Sequence, residues 1–347
     1  MTTSPAEPAI VHVTDAHWRA FVAGHPDAMP FHHPDWASLV AECYGFHAFA
    51  VVAADATGTI AAGIPLVEVR HLRSRPKWVA LPFTDFCPPL VTDGGPDLAA
   101  ALTTAARWAG VRRIEVRAPL AGATTQEPVA VKHVLRLDAD PARTFDRFHR
   151  SQVHRNIKRA EREGLAVREA DRREDLLDTF YGLHLRTRHR QGVPVQPRRF
   201  FRLLWDRAIS TGLGSVLVVE AAGQPVAAAV FLSWNGTVIY KFGASDQRFW
   251  SLRPNHLLFW HAIRAACERG DQWFDFGRTD LGNEGLRAFK GSWGAREEQL
   301  DYSALGTPSR SAAQSDGLAT RALGTVIRRG PALLCRATGE VLYRYVA

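Results

Sequence analysis

Lys290 follows a phenylalanine in the run Gly285-Leu286-Arg287-Ala288-Phe289-Lys290-Gly291-Ser292-Trp293-Gly294. An ammonium group held beside a carbonyl under attack stabilises the oxyanion as it forms. Upstream, Asp275 stands in the aromatic run Trp273-Phe274-Asp275-Phe276-Gly277-Arg278. A carboxylate there could take a proton from an attacking amine; it could equally pair a nearby arginine or cap the next turn. Lys241, in Tyr240-Lys241-Phe242-Gly243-Ala244-Ser245, has a similar claim, but strand residues alternate faces and its side is open. Together these groups suit transfer of an acyl group to an amine. That reaction needs a neutral amine, a polarised carbonyl and a stabilised leaving atom, and neither a metal nor a covalent intermediate. The plain alternative for Lys290 is a solvated lysine on a short helix. On that footing Lys290→Met is expected to leave folding nearly intact.

Arg155, Lys158, Arg159 and Arg162 recur at helical spacing and could follow the phosphates of RNA or of a nucleotide-linked molecule; such a run is otherwise a solvated face. The net charge of +8 fits anionic partners, yet all but five of the 43 basic residues are arginines, so composition alone says little. Cys43, Cys87, Cys267 and Cys335 lie far apart, which argues against a zinc site, a cluster or a disulfide framework. Cys267 reads as core rather than nucleophile. Neither His154 nor His184 is given a role, and Asp280 and Glu284 read as ordinary loop residues. No run of about 18 apolar residues occurs, and the first residues lack the basic and apolar regions of a secretory signal, so a cytoplasmic protein that works without metal is expected.

The elements that must position these residues alternate in type. The first half reads as helices at 15–22 and 34–44, strands at 49–53, 60–69 and 78–81, a breaker-rich loop at 83–89, an alanine-rich helix at 96–109, and strands at 113–117 and 132–137. Asp140-Pro141 is a cap and first-turn pair, and places a domain boundary near 140. After it come a basic helix to Arg162, helices at 175–190 and 200–209, and three hairpin-linked strands at 214–221, 225–234 and 238–243. A helix at 256–268, a strand at 273–277, a short helix at 286–291 and a strand at 297–303 close the half. Residues 306–347 read as a polar linker followed by a basic amphipathic tail, which either docks back on the body or touches a membrane surface.

Three motifs in order carry a resemblance: the basic element Arg155–Leu165, the pair Tyr240–Ser245 and Arg253-Pro254-Asn255, and Phe274–Arg278 with Gly285-Leu286, Phe289-Lys290 and Trp293-Gly294. Over roughly residues 145–300 the chain resembles the FemABX and FemAB-like GNAT acyltransferases. The first half resembles them only through Pro34-Asp35-Trp36 and the Asp85 loop. The resemblance implies an α/β fold of two tandem GNAT-like domains, each a mixed, mainly antiparallel sheet flanked by helices. The acceptor-side domain would span 1–140, and the donor and catalytic domain 141–305. It implies transfer of an aminoacyl group from aminoacyl-tRNA to an amine on a cell-wall precursor, polysaccharide or natural-product intermediate, with no cofactor and no DNA partner. Lys290 would hold or polarise the transferred ester, with Asp275 and Lys241 beside it. Phe289, Tyr240, Arg278, Asn255 and Arg253 would line the substrate, and Asp85 and Trp36 the acceptor. The coiled-coil arm of some Fem enzymes is missing from the sequence.

The donor turns on 247–254. Acyl-CoA enzymes of this kind cradle pyrophosphate on a glycine-rich turn before a helix. Gln247-Arg248-Phe249-Trp250-Ser251-Leu252-Arg253-Pro254 has no glycine, and its proline lacks a donor. That favours tRNA over an acyl-CoA donor. An acyl-CoA N-acyltransferase is the runner-up, and a non-catalytic anion- or nucleic-acid-binding module the third reading.

Overall fold

The computed structural model describes residues 7–70, 75–307 and 317–343. They fall into two compact units, one running to Ala130 and taking in residues 299–307, the other Val131–Glu298 with the final helices. The division therefore lies inside strand 125–136, ten residues before the Asp140-Pro141 helix start, and strand 296–306 is shared out likewise.

In the first unit, β1 (Pro8–His12), β2 (His47–Ala54), β3 (Ile60–Val69), β4 (Lys77–Val79), β6 (Arg113–Val116) and the far end of β13 (Arg296–Gly306) lie side by side in that order. A two-residue strand, β5 (Leu90–Val91), pairs with β3. Pairing is antiparallel except between β4 and β6. Helices α1 (Ala16–Gly24), α2 (Pro34–Tyr44) and α3 (Leu98–Trp108) start where side chains satisfy their first amides: Asp15 accepts from His17 and Trp18, and Asp97 from Ala99 and Ala100. Phe49, Ile64, Trp78, Leu102 and Ile114 fill the core.

The second unit orders its strands β7 (Thr125–Arg136), β12 (Trp273–Thr279), β11 (Thr237–Ser245), β10 (Gln224–Trp234), β9 (Gly214–Ala221) and β8 (Ala166–Glu169). Only β11 and β12 run parallel among these pairs. The three hairpin-linked strands thus stand as the sequence predicts. Strands β1, β5 and β8 escape that reading because each is short and at least half exposed along its length, with no alternation to betray it. One face of the sheet carries α4 (Pro141–Asp146), α5 (Arg155–Arg162) and the long α8 (Pro254–Arg269) over Phe231, Phe274 and Phe276, with Phe259 of α8 and Trp293 in the same core. Helices α6 (Tyr181–Gln191), α7 (Arg198–Leu204) and the short α9 (Glu284–Gly291) complete the unit's body. Wider π-type turns lead into α5 at Arg150–His154 and into α6 at Asp175–Phe180, and a third follows α7 at Trp205–Ile209.

The tail is two helices rather than one, α10 (Gly317–Arg329) and α11 (Ala332–Leu342), broken at Gly330-Pro331. It docks on the end of α6. His189 Nε2 bonds Gly330 O at 2.7 Å, Arg188 donates to Tyr343 Oη at 3.1 Å, and Cys335 Sγ donates to Val193 O at 3.3 Å. A side chain at Gly339 would collide with Val195 O, which is why this face of α11 is bare. The linker from 308 to 316 lies outside the described residues.

Candidate active site

Strands β11 and β12 pair only at Thr237–Trp273, Val238–Phe274 and Ile239–Asp275. Beyond that point they no longer pair. Both strands are irregular just there. On β11, Val230 of β10 faces Phe242 while Phe231 faces Tyr240, so Lys241 is the extra residue of a bulge. On β12 a second bulge against β7 lies between Asp275 and Arg278, and Gly277 adopts φ +71, a conformation glycine takes without steric cost.

That bulge is where the two leading candidates meet. Asp275 Oδ1 accepts the Gly277 N–H at 2.7 Å. Lys290 Nζ donates to Gly277 O at 2.8 Å and to Arg278 O at 3.1 Å. Carboxylate and ammonium therefore grip the same glycine from its two polar ends. Asp275 is 8% and Lys290 3% exposed, so Lys290 is on the short helix the sequence predicts but is buried, not solvated. The expectation that Lys290→Met would spare folding is corrected accordingly: the change would strip hydrogen bonds from the buried Gly277 carbonyl and the partly buried Arg278 carbonyl. Lys132 Nζ lies 4.0 Å from Asp275 Oδ2 and 3.4 Å from Glu298 Oε2, and Arg296 pairs with Glu298 in turn. Lys132 is invisible in the sequence because it comes from β7, far from the motifs, and Glu298, four residues past Trp293-Gly294, carries no pattern that ties it to Asp275.

Around β11 the site is aromatic. Tyr240 packs between Phe231 and Phe259, with ring centroids 5.8 and 4.8 Å away, and burial pushes its phenol up to about 12. Its hydroxyl lies over Gly243, where any side chain would collide with it. Lys241 Nζ stands 5.5 Å from the Phe242 ring centroid. Phe242 closes a box with Phe200, Phe201 and His184. His184 is held neutral: burial lowers it to about 3, and its Nε2 is 2.9 Å from Gln196 Oε1. Phe289 is half-buried against Phe259, His256 and Trp293. His256, which sequence reasoning passes over, has its Nε2 3.3 Å from Asn156 Nδ2, and burial, then Arg253, lowers it to about 4. It ties α5 to α8 and to the Phe289 helix; its adjacency to Arg253-Pro254-Asn255 is the one available signal.

The turn after β11 is built from side chains. Residues Gln247–Leu252 form a 3-10 turn capped by Asp246, which accepts from Arg248 N at 3.1 Å and Arg248 Nη2 at 2.6 Å. Trp250 Nε1 donates to Ser245 Oγ at 2.9 Å. Arg253, with φ +65, takes a left-handed conformation that costs a non-glycine residue about 1–2 kcal/mol. Pro254 and Asn255 then open α8. Arg253 lines a cleft of 380 Å³ with Arg155, Asn156, Arg159, Arg162 and Glu163. Arg155 and Arg162 also border a wider recess of 1260 Å³ with Lys158, Arg150, His154, Asp146 and Glu161. The structure thus brings all four basic-helix candidates and Arg253 to adjoining openings, with Ile157 and Ala160 as the buried side of the helix. Arg278 points its guanidinium to Asp280, 3.1 Å away.

Trp36 and Asp85 belong to the first unit. Trp36 is completely buried, with Nε1 donating to Thr84 Oγ1 at 2.8 Å, so its assignment to an acceptor surface is corrected to a core role. Asp85 is half-buried in its loop, where its carbonyl accepts from Tyr302 Oη at 2.9 Å. All four cysteines are buried. Among the described residues no group of three His, Cys, Asp or Glu could hold a metal ion, and no helix is long and apolar enough to cross a membrane.

The acetyltransferase (GNAT) domain family matches residues 147–290, the span that holds the bulged strands, the turn and Lys290. No curated protein matches the sequence. Among solved structures the fold is similar to FemX, with TM-score 0.68 at 16% identity over 86% of this chain and 97% of that one. It is also similar to the C-terminal domain of a putative lysylphosphatidylglycerol synthetase from Agrobacterium fabrum, with TM-score 0.55 at 15% identity over 90% and 96%. A tandem GNAT protein from the clavulanic acid biosynthesis pathway gives TM-score 0.50 at 13% identity over 87% and 100%.

Proposed function

We propose, for a chain that carries a GNAT acyltransferase domain in a FemX-like fold, that it moves an aminoacyl group from aminoacyl-tRNA to an amine acceptor. The observation that carries this reading is the turn after β11. A phosphate there meets no row of glycine amides; it meets Arg253 and the arginines of α5 at one cleft. Side-chain guanidinium groups suit a long, flexible polyanion that presents phosphates at several points.

In this reading the donor ester lies in the gap that opens past Ile239 and Asp275. Backbone N–H groups of β11 polarise its carbonyl, and the aromatic wall of Tyr240, Phe259 and Phe289 keeps water out. The neutral amine attacks, a C–N bond forms, and the ester C–O bond breaks. The amine's proton passes to the departing ribose oxygen, with Asp275 as the nearest carboxylate relay. Lys290 fixes the shape of this wall through the Gly277 and Arg278 carbonyls.

The match to an acetyltransferase domain favours acyl-CoA as the second reading of the donor. Single-turnover transfer to a panel of amines, run in parallel from charged tRNA and from acetyl-CoA, separates the two. Product from charged tRNA alone is expected. Product from acetyl-CoA alone would replace the donor, and product from neither, with a folded protein, would remove the enzyme reading.

A further inference from the structure

The tail helices present an outward face that the body of the unit does not use. On α11 the inward positions are Cys335 and Gly339, both buried. The outward stripe is Leu333, Ala337 and Val341 at four-residue spacing, with Leu334 beside it. Leu333 is 72%, Leu334 41% and Val341 60% exposed. Leu334 reaches back over Gly330, the break between the two helices, and on α10 Val326 is 56% exposed. Three large apolar residues in water on one helix, two of them on one stripe and the third beside it, form a patch rather than scattered exposure, and Val326 adds a fourth on the preceding helix.

Charge says what covers the patch. Between 317 and 343 the sequence holds Arg321, Arg328, Arg329 and Arg336 against the single acid Glu340, which is engaged with the Arg198 N–H. Arg328, Arg329 and Arg336 are exposed around the leucines. Leucines ringed by arginines fit the boundary between acyl chains and anionic headgroups, where the apolar side chains sink and the guanidinium groups stay at phosphate level. The hairpin is held to α6 by the bonds of His189, Arg188 and Cys335, so it would carry the whole unit to that surface.

We infer that the outer face of α10 and α11 docks the protein on an anionic lipid surface. This is independent of which donor the enzyme uses. The test is sedimentation of the full-length protein with vesicles of phosphatidylglycerol and phosphatidylcholine, and with vesicles of phosphatidylcholine alone, at low and high salt. Binding to the anionic vesicles that weakens with salt is expected. Leu333→Ser with Leu334→Ser should reduce the partition at least about a hundredfold, as loss of two buried leucines implies. Arg329→Gln and Arg336→Gln should each reduce it about fivefold on anionic vesicles and leave phosphatidylcholine unchanged. These residues are exposed, so unaltered circular-dichroism melting checks that each variant is folded. Wild-type protein that stays in the supernatant with anionic vesicles at low salt overturns the inference, as does binding that ignores both sets of changes. A concentration-dependent dimer in light scattering that Leu333→Ser dissolves would assign the face to a second copy instead, and also overturns it.

Discussion

Charge is used in two opposite ways within the second unit. At the bulge of β12, Asp275 and Lys290 are buried and each is committed to backbone atoms of known geometry. On α5, Arg155, Lys158 and Arg162 face solvent, and Arg159 pairs only loosely with Glu163 at 3.7 Å. A buried charge fixes shape, and removing it leaves unsatisfied partners; an exposed one contributes through the summed field, and salt screens it. The two kinds of group should fail differently when mutated.

The largest effect is expected at the bulge. Lys290→Met should lower unfolding free energy by about 2–4 kcal/mol, because the buried Gly277 carbonyl and the partly buried Arg278 carbonyl lose their donor. Single-turnover transfer by the fraction that remains folded should fall about 10²–10³-fold as the β12 wall relaxes. Chemical denaturation together with the rate measurement checks both. A stable Lys290→Met protein with full activity would erase the contrast with α5.

A second expectation concerns the buried imidazole under β11. The folded pKa of His184, about 3, lies below its ordinary value of 6.5. The unfolded chain therefore binds a proton that the native one refuses between those two pH values. Stability attributable to His184 is complete above pH 6.5 and is lost as pH falls toward 3, at about 1.4 kcal/mol per pH unit. His184→Phe, which keeps a ring in the box, should show a shallower fall in stability between pH 6 and 4 than wild type. Equal slopes would mean that His184 is protonated in the fold.

The smallest stability change belongs to the exposed helix. Replacing Arg155, Lys158 and Arg159 by Gln should shift unfolding by no more than about 0.5 kcal/mol per site. The same variant should weaken tRNA binding and reduce the slope of log affinity against log salt by about one for each phosphate left without its cation. An unchanged slope would make α5 a solvated face and leave the comparison without its second half.

What can be read from the sequence follows the same division. The α5 face is legible because helical spacing is a local pattern, and the glycine-free turn because a missing residue type can be seen without a fold. The hairpins of β9, β10 and β11 are legible from Gly223 and from Asn235-Gly236. Of the partners of Asp275, the Gly277 amide two residues on is the turn cap the sequence allows, whereas Lys132 is not legible, since it meets Asp275 only through the pairing of β7 with β12. The motif around Lys290 marks the residue but not its surroundings: α9 is otherwise half-exposed or exposed along its length, and only the position facing Gly277 is enclosed. Trp36 misleads because an aromatic in a helix's first turn looks the same whether it meets a ligand or Thr84.

The π-type turn at Arg150–His154 sets the angular phase of everything after it. Arg155 N bonds back to Arg150 O, five residues earlier, so one more residue is accommodated there than an α-helix would hold. Each residue of an α-helix advances the face by about 100°. With one residue fewer in that turn, the arginines of α5 would swing toward the sheet, and Ile157 and Ala160 would turn out to water. A single length step upstream thus decides which side of the helix the cleft sees, much as one tooth decides the timing of a gear train.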